Sequence, residues 1–225
     1  MQINILGICG SPIKGGNTEA FLKESLKAAK TTGDVKTELV TLAGKKIEDC
    51  RHCNWCLQKQ QEGHFCAQKD DMMDIYPKLL NADALLFASP VYIGRLSGYM
   101  ACFTDRLRPF VFGNVYRHGL KNKVGAALGV GWGRNYGVET TLLSIMSAFF
   151  MMEMLPVGPP HGLGSPFGAA GLASENRAGK LDTPDKLGVL RDEYGIRGAL
   201  DLGKRVAEIA KLIKAGKAQL SHPPV

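Results

Sequence analysis

A chain of 225 residues, 45% hydrophobic and 22% charged, is long enough to bury one sizeable core, which sets it apart from a disordered tail or a repeat array. No stretch approaches 18 uninterrupted apolar residues, and the amino-terminal MQINILGICGSP has no basic segment ahead of its apolar run, so a single cytoplasmic domain over residues 1–225 is expected, with no membrane partner. Of the formal charge of +7, a net +6 falls between Ala84 and Arg134, where Arg95, Arg106, Arg108, Arg117, Lys121, Lys123 and Arg134 stand against Asp105 alone; such a surface attracts nucleic acid, an acidic redox partner or a phosphate-bearing cofactor, or simply faces water.

Residues 3–9, INILGIC, are a short apolar run closed by Gly10-Ser11-Pro12, the pattern of a buried strand that ends in a loop. A helix follows, capped by Asn17 or Thr18. Phe21, Leu22, Leu26 and Ala29 form its apolar side, and Glu19 and Lys23 pair on its surface. VKTELVTL alternates as a second strand. The segment EDCRHCNWCLQKQQEGHFCAQKDDM, residues 48–72, then carries four of the six cysteines. Asp70 and Asp71 open a helix where acids complement the positive end of the helix dipole. ALLFASP (84–90) reads as a third strand, Ser97 to Arg108 as a helix, and KVGAALGV (123–130) as a buried fourth strand. Glu139 to Met152 is an apolar helix, followed by the short MLPVG. Residues 158–184, rich in Gly, Pro and Ser, read as a long loop. Gly195 to Lys214 is a closing helix with Leu202, Val206, Ile209 and Ile213 on one stripe, stopping at Gly216, so that 158–216 forms a carboxyl-terminal loop and helix. Strands alternating with helices imply an α/β doubly wound parallel sheet, whose ligands lie beyond the carboxyl ends of the strands.

Three loops occupy those ends. GSPIKGGNTE follows a strand and opens a helix, the arrangement in which backbone N–H groups and the helix dipole hold a phosphate. It lacks the Lys-Ser/Thr of a Walker loop and the spacing of a dinucleotide fingerprint, because its glycines fall at positions 7, 10, 15 and 16. What remains suits a terminal phosphate held without metal, or an ordinary glycine turn. SPVYIGRLSG (89–98) presents Tyr92 after the stiff Pro90, and GVGWGRNYGVE (129–139) sets four glycines around Trp132 and Tyr136. Such aromatics serve packing or a flat ligand. Three marked loops at successive strand ends point to one flat, phosphorylated ligand, and flavin mononucleotide (FMN) fits.

GSPIKGGNT, DDM, ADALLFASPVYIGRLSGYMACFTDR and GKRVAEIAKLIK together resemble the flavodoxin-like NAD(P)H-dependent FMN reductases, and the cysteines ahead of DDM resemble the iron-sulfur flavoprotein branch of that family. The resemblance implies a five-stranded sheet of order 2-1-3-4-5 with the cysteine segment 48–70 as an insertion, and a homodimer or homotetramer. It implies that Ser11, Lys14, Gly16, Asn17 and Thr18 hold the FMN phosphate. Ser89, Pro90, Val91, Tyr92, Ile93 and Gly94 would then border the isoalloxazine, with Gly131, Trp132, Asn135 and Tyr136 at its other edge. Ferredoxin as an acidic electron donor and a small acceptor are implied too.

A C-x2-C-x2-C run lets one loop deliver three thiolates to a single iron-sulfur cube, with a fourth from farther along. Cys50, Cys53, Cys56 and Cys66 meet that requirement for a [4Fe-4S] cluster. Zinc, the alternative, more naturally shows two separated C-x2-C knuckles. The nine residues between Cys56 and Cys66 make a longer gap than the resemblance implies, and His64 or His52 stands near as a replacement ligand. Cys9 and Cys102 fall within apolar patterns and read as core residues. The expected function is electron transfer between cluster and FMN. The alternatives are an NAD(P)H-dependent FMN or quinone reductase whose cysteines bind zinc or nothing, and a zinc-stapled nucleic-acid-binding module, against which no recognition motif appears.

Overall fold

The computed structural model describes residues 1–133, 135–160, 165–174 and 187–221. Part of the stretch read as a long loop, and Arg134 of the basic segment, lie outside the described residues. Strands β1 (Ile3–Cys9), β2 (Val35–Thr41), β3 (Ala84–Tyr92) and β5 (Val124–Gly131) pair in parallel in the order β2-β1-β3-β5. Beyond β5 the sheet edge is split. The two-residue β6 (Leu155–Pro156) pairs with the start of β5, and β7 (Ala169–Leu172) pairs with its end, from Leu128 to Gly131. Counted as one edge position, these give the expected 2-1-3-4-5 winding. A short β4 (Arg95–Leu96) folds back antiparallel on β3.

Within each strand alternate residues face opposite layers, as a period of two requires. Leu6, Ile8, Leu85, Phe87 and Ala127 pack in the layer of α3 (Met72–Asn81), α4 (Gly98–Asp105), α5 (Arg108–Phe112) and α6 (Val138–Met151). Ile3, Ile5, Ala84, Leu86, Ala88, Val124, Ala126 and Leu128 pack in the layer of α1 (Asn17–Lys30) and α7 (Glu193–Ser221). The sheet is therefore covered on both faces, which is why β3 and β5 read as continuous apolar runs.

Three elements differ from the sequence reading. The helix expected over 97–108 is broken at Arg106-Leu107, because Pro109 at the start of α5 has no N–H with which to continue the ladder. Strand β7 lies inside the stretch read as loop, where Ala169, Ala170 and Gly171 carry little strand signal although Ala169 is fully buried. Helix α1 is preceded by Gly16 as its cap, and neither Asn17 nor Thr18 caps it with a side chain, since both already belong to the helix. Among the described residues, no helix is long and apolar enough to cross a membrane.

Candidate functional site

The first loop leaves β1 at Cys9, whose thiol is fully buried and pushed up to about 11 by that burial. Gly10 donates its N–H to the Ala88 carbonyl at 2.8 Å, and Ser97 Oγ donates to the Gly10 carbonyl at 2.5 Å, so this loop is stitched to the end of β3 and the start of α4. Ser97 Oγ also accepts from Met100 N at 3.1 Å, capping α4. Ser11 and Thr18 are buried, Gly16 is buried and Lys14 is exposed. Asn17 Oδ1 accepts from Val189 N at 2.9 Å, and its amide NH2 has no bond among the described residues. Beneath the loop, Glu19 accepts from Gly15 N at 2.8 Å and from Lys23 Nζ at 2.6 Å. Burial raises the pKa of that carboxyl, but Lys23 and the Gly15 N–H outweigh it and hold Glu19 below the usual range. The unpaired N–H groups of the first turn of α1 face the same end.

The second loop begins at Ser89, fully buried, whose Oγ accepts from Ser97 N at 2.9 Å. Pro90 and Val91 continue β3 into a two-residue turn at Ile93-Gly94, with φ of 50° and 74°, the pair of positive values that a tight hairpin demands. A β-branched residue resists that conformation, and Ile93 is 99% exposed. Tyr92, partly exposed, stands beside the end of β1, where burial and the neighbouring Cys9 raise its phenol pKa. The third loop carries Gly131, Trp132, Asn135 and Tyr136, the two aromatics 40% and 56% exposed. It is locked to the second by Gly137 (φ 103°), where a Cβ would lie 2.3 Å from the Gly94 carbonyl oxygen. The three loops thus form one rim across the neighbouring strands β1, β3 and β5. Their buried hydroxyls, helix N-terminus and half-exposed rings fit a flat ligand with a phosphate tail.

The cysteine segment lies at the far end of α4. The left-handed backbone at His52 and Asn54 turns the chain between successive cysteines, and the single turn α2 (Trp55–Gln58) buries Cys56. Cys50, Cys53, Cys56 and Cys66 line one pocket, together with Asn54, Gln68, Arg106 and Arg108. The long gap before Cys66 is a built turn. Gln60, buried, donates to the Phe65 carbonyl at 2.9 Å and accepts from Val115 N and Tyr116 N at 3.0 and 3.2 Å. Phe65 inserts between Tyr76 and Tyr116, with ring centroids 4.9 and 4.0 Å away, and so delivers Cys66 to the pocket. His52 and His64 are exposed and neither belongs to the pocket lining. Cys102, expected in the core, is only half-buried.

Two arginines flank these thiols. Arg106, 1% exposed, holds Asp70 through both terminal nitrogens and donates to the Glu48 carbonyl at 3.1 Å. Burial works against its charge, but Asp70 outweighs it and raises its pKa. Arg108 donates to Asn54 Oδ1 at 2.9 Å and stacks on Phe112 at 5.0 Å. Burial pushes the Cys56 thiol up, while Arg108 opposes it. Among the described residues, no three His, Cys, Asp or Glu side chains converge closely enough to hold a single metal ion. A four-iron cluster takes four thiolates, and the four cysteines that line this pocket supply a donor set of that chemistry. Sequence reasoning did not find Arg106, Asp70, Gln60 or Phe65 as parts of this site, because each acts through a contact between segments far apart in the chain.

The family model for NADPH-dependent FMN reductase matches residues 3–164. An iron-sulfur flavoprotein of Methanocaldococcus jannaschii is 37% identical over 212 residues, which cover 94% of this chain and 100% of that one. Another, of Archaeoglobus fulgidus, is 34% identical over 206 residues, covering 91% and 96%. Among solved structures, the WrbA-like flavodoxin of Agrobacterium tumefaciens has a similar fold, with a TM-score of 0.59 at 16% identity over 94% of this chain and 99% of that one.

Proposed function

The chain belongs to the NADPH-dependent FMN reductase family, on its iron-sulfur flavoprotein branch, and from that premise we propose that it transfers electrons between FMN at the strand-end loops and a [4Fe-4S] cluster held by Cys50, Cys53, Cys56 and Cys66. The observation that carries the reading is the gathering of all four cysteines into one pocket joined to the flavin rim by a single helix. FMN supplies one- and two-electron chemistry and the cluster one-electron chemistry, so the pair converts between the two. Helix α4 is capped by Ser97, which is bonded to Gly10 and Ser89, and its eight residues from Gly98 rise about 12 Å to Asp105 at the cysteine pocket.

The remaining roles fall to side chains. Ser11, Thr18, the Asn17 amide, Lys14 and the first-turn N–H groups hold the phosphate, and Gly16 admits it without a side chain. Lys23 neutralises Glu19, so that the carboxylate beneath the loop does not repel the anion. Ser89 to Gly94 border one side of the isoalloxazine, with Trp132, Asn135 and Tyr136 at the other. The reaction requires no acid or base from the protein. An acidic electron carrier such as ferredoxin is the donor, a small molecule the acceptor, and the working form a homodimer or homotetramer.

Changing Cys53→Ser tests the ligand set. After anaerobic purification the variant is expected to lose its iron and keep its FMN, since the phosphate loop lies elsewhere in the fold. Full iron content with an unchanged visible spectrum would overturn the assignment.

A further inference from the structure

Arg106 is the largest fully buried side chain among the described residues, and an ion pair does not explain it. Burying a guanidinium and a carboxylate together is close to neutral for stability, because desolvation offsets most of their attraction. The fork is also used beyond Asp70. Its Nη2 donates to Cys66 Sγ at 3.6 Å, and the Gln68 backbone N–H donates to the same sulfur at 3.5 Å. Asp70 in turn accepts from Met72 N at 3.1 Å, at the start of α3, so the guanidinium is clamped in one orientation by a carboxylate that is itself fixed. Tyr76 adds a bond from its hydroxyl to the Arg106 carbonyl at 2.8 Å, fixing the backbone at the break between α4 and α5. The Arg106 Nε, buried, finds no partner among the described residues, so the group has a donor to spare on a side chain that lines the cysteine pocket.

Two donors on one sulfur suit a thiolate far better than a neutral thiol, since charged acceptors make the stronger bonds. Four thiolates bring more negative charge than an iron-sulfur core neutralises, and each added electron deepens the excess. A fixed cation and N–H···S bonds stabilise the reduced state more than the oxidised one, and hydrogen bonding and net charge are the levers by which a protein sets such potentials.

We propose that Arg106, oriented by Asp70, is a positioning residue that donates to the Cys66 thiolate and sets the reduction potential of the cluster, with Asp70 holding the value down by partly cancelling the charge. This rests on the cluster reading above. It assigns Arg106 to the interior of the electron-transfer site, where a sequence count of basic residues would have placed it on a docking surface.

The test is an anaerobic, mediated titration with dithionite as the one-electron donor, followed by EPR of the reduced cluster, at the potential where the wild type is half reduced. Asp70→Asn leaves the cation uncancelled, and its reduced-to-oxidised ratio is expected to rise about tenfold, 59 mV for a one-electron couple. The double change Arg106→Gln with Asp70→Asn removes cation and carboxylate together and is expected to lower the ratio about tenfold below wild type. Arg106→Lys, which keeps the charge, is expected to lie between the double variant and the wild type. A purely structural Arg106 predicts the same ratio in all four proteins, and that result would overturn the proposal. A variant that keeps FMN but loses iron counts against it unless Arg106→Lys restores the iron, because a charge is replaced by another charge and a packed shape is not. Absence of iron from the wild type would overturn the cluster reading and this proposal with it, whereas a wild-type cluster indifferent to these changes overturns the proposal alone.

Discussion

Phe65 shows how one side chain joins packing to the chemistry next to it. It is 3% exposed, stacked on Tyr76 and Tyr116 and set edge-on to Phe110, and the following residue is Cys66. Replacing Phe65 by Ala removes a buried ring that its neighbours cannot fill and is expected to cost about 3–5 kcal/mol of stability. Urea unfolding of the apoprotein measures it, and a loss below about 1 kcal/mol would show that the turn holds its place without the ring. The four cysteines stood out in the sequence by their spacing, and the structure gathers them in one pocket. Arg106 was visible only as a charge. Its guanidinium meets Asp70 and Cys66, 36 and 40 positions away, and no local pattern carries such a meeting.

At the scale of elements, the strands and helices were legible where apolar periodicity sets them. β1, β3 and β5 are apolar runs because both faces of the sheet are covered, and α1 and α7 carry clear stripes. The elements that escaped lack that signal. Three of the four residues of β7 are small, and the strand is recognisable only through its pairing with β5, while the break between α4 and α5 depends on Pro109. The turn between Cys56 and Cys66 looked like a departure from the pattern of related cysteine segments. Gln60 and Phe65 tie it to the 113–116 stretch, so the extra length closes on itself and brings Cys66 to the other three thiols. The strand-end loops were recognisable by their glycines, but their mutual locking was not. It requires Gly137 to lie against Gly94, and only the fold brings these together.

Across the whole molecule the charge is distributed differently from its distribution in sequence. Arg106 is inside and Arg108 lines the cysteine pocket, while Lys123, partly buried, donates to the carbonyls of Leu80 and Ala82 and is lowered to about 8 by burial. Arg95, Arg117 and Lys121 are exposed, and the proposed docking of an acidic carrier rests on them. Reduction by ferredoxin is expected to slow as salt is raised, because screening shortens to about 8 Å at physiological ionic strength. Charge reversal at Arg117 or Lys121 is expected to slow it without releasing FMN. Stopped-flow rates indifferent to salt would remove the docking role. The central claim, that one fold carries both redox groups, is tested most directly by counting them. Protein purified under strict anaerobiosis and analysed for iron, acid-labile sulfide and flavin is predicted to hold one FMN and one four-iron cluster per chain, with a broad thiolate-to-iron absorption beneath the flavin bands. Protein that binds FMN fully but takes up zinc or no metal, even after reconstitution with iron and sulfide, would contradict it.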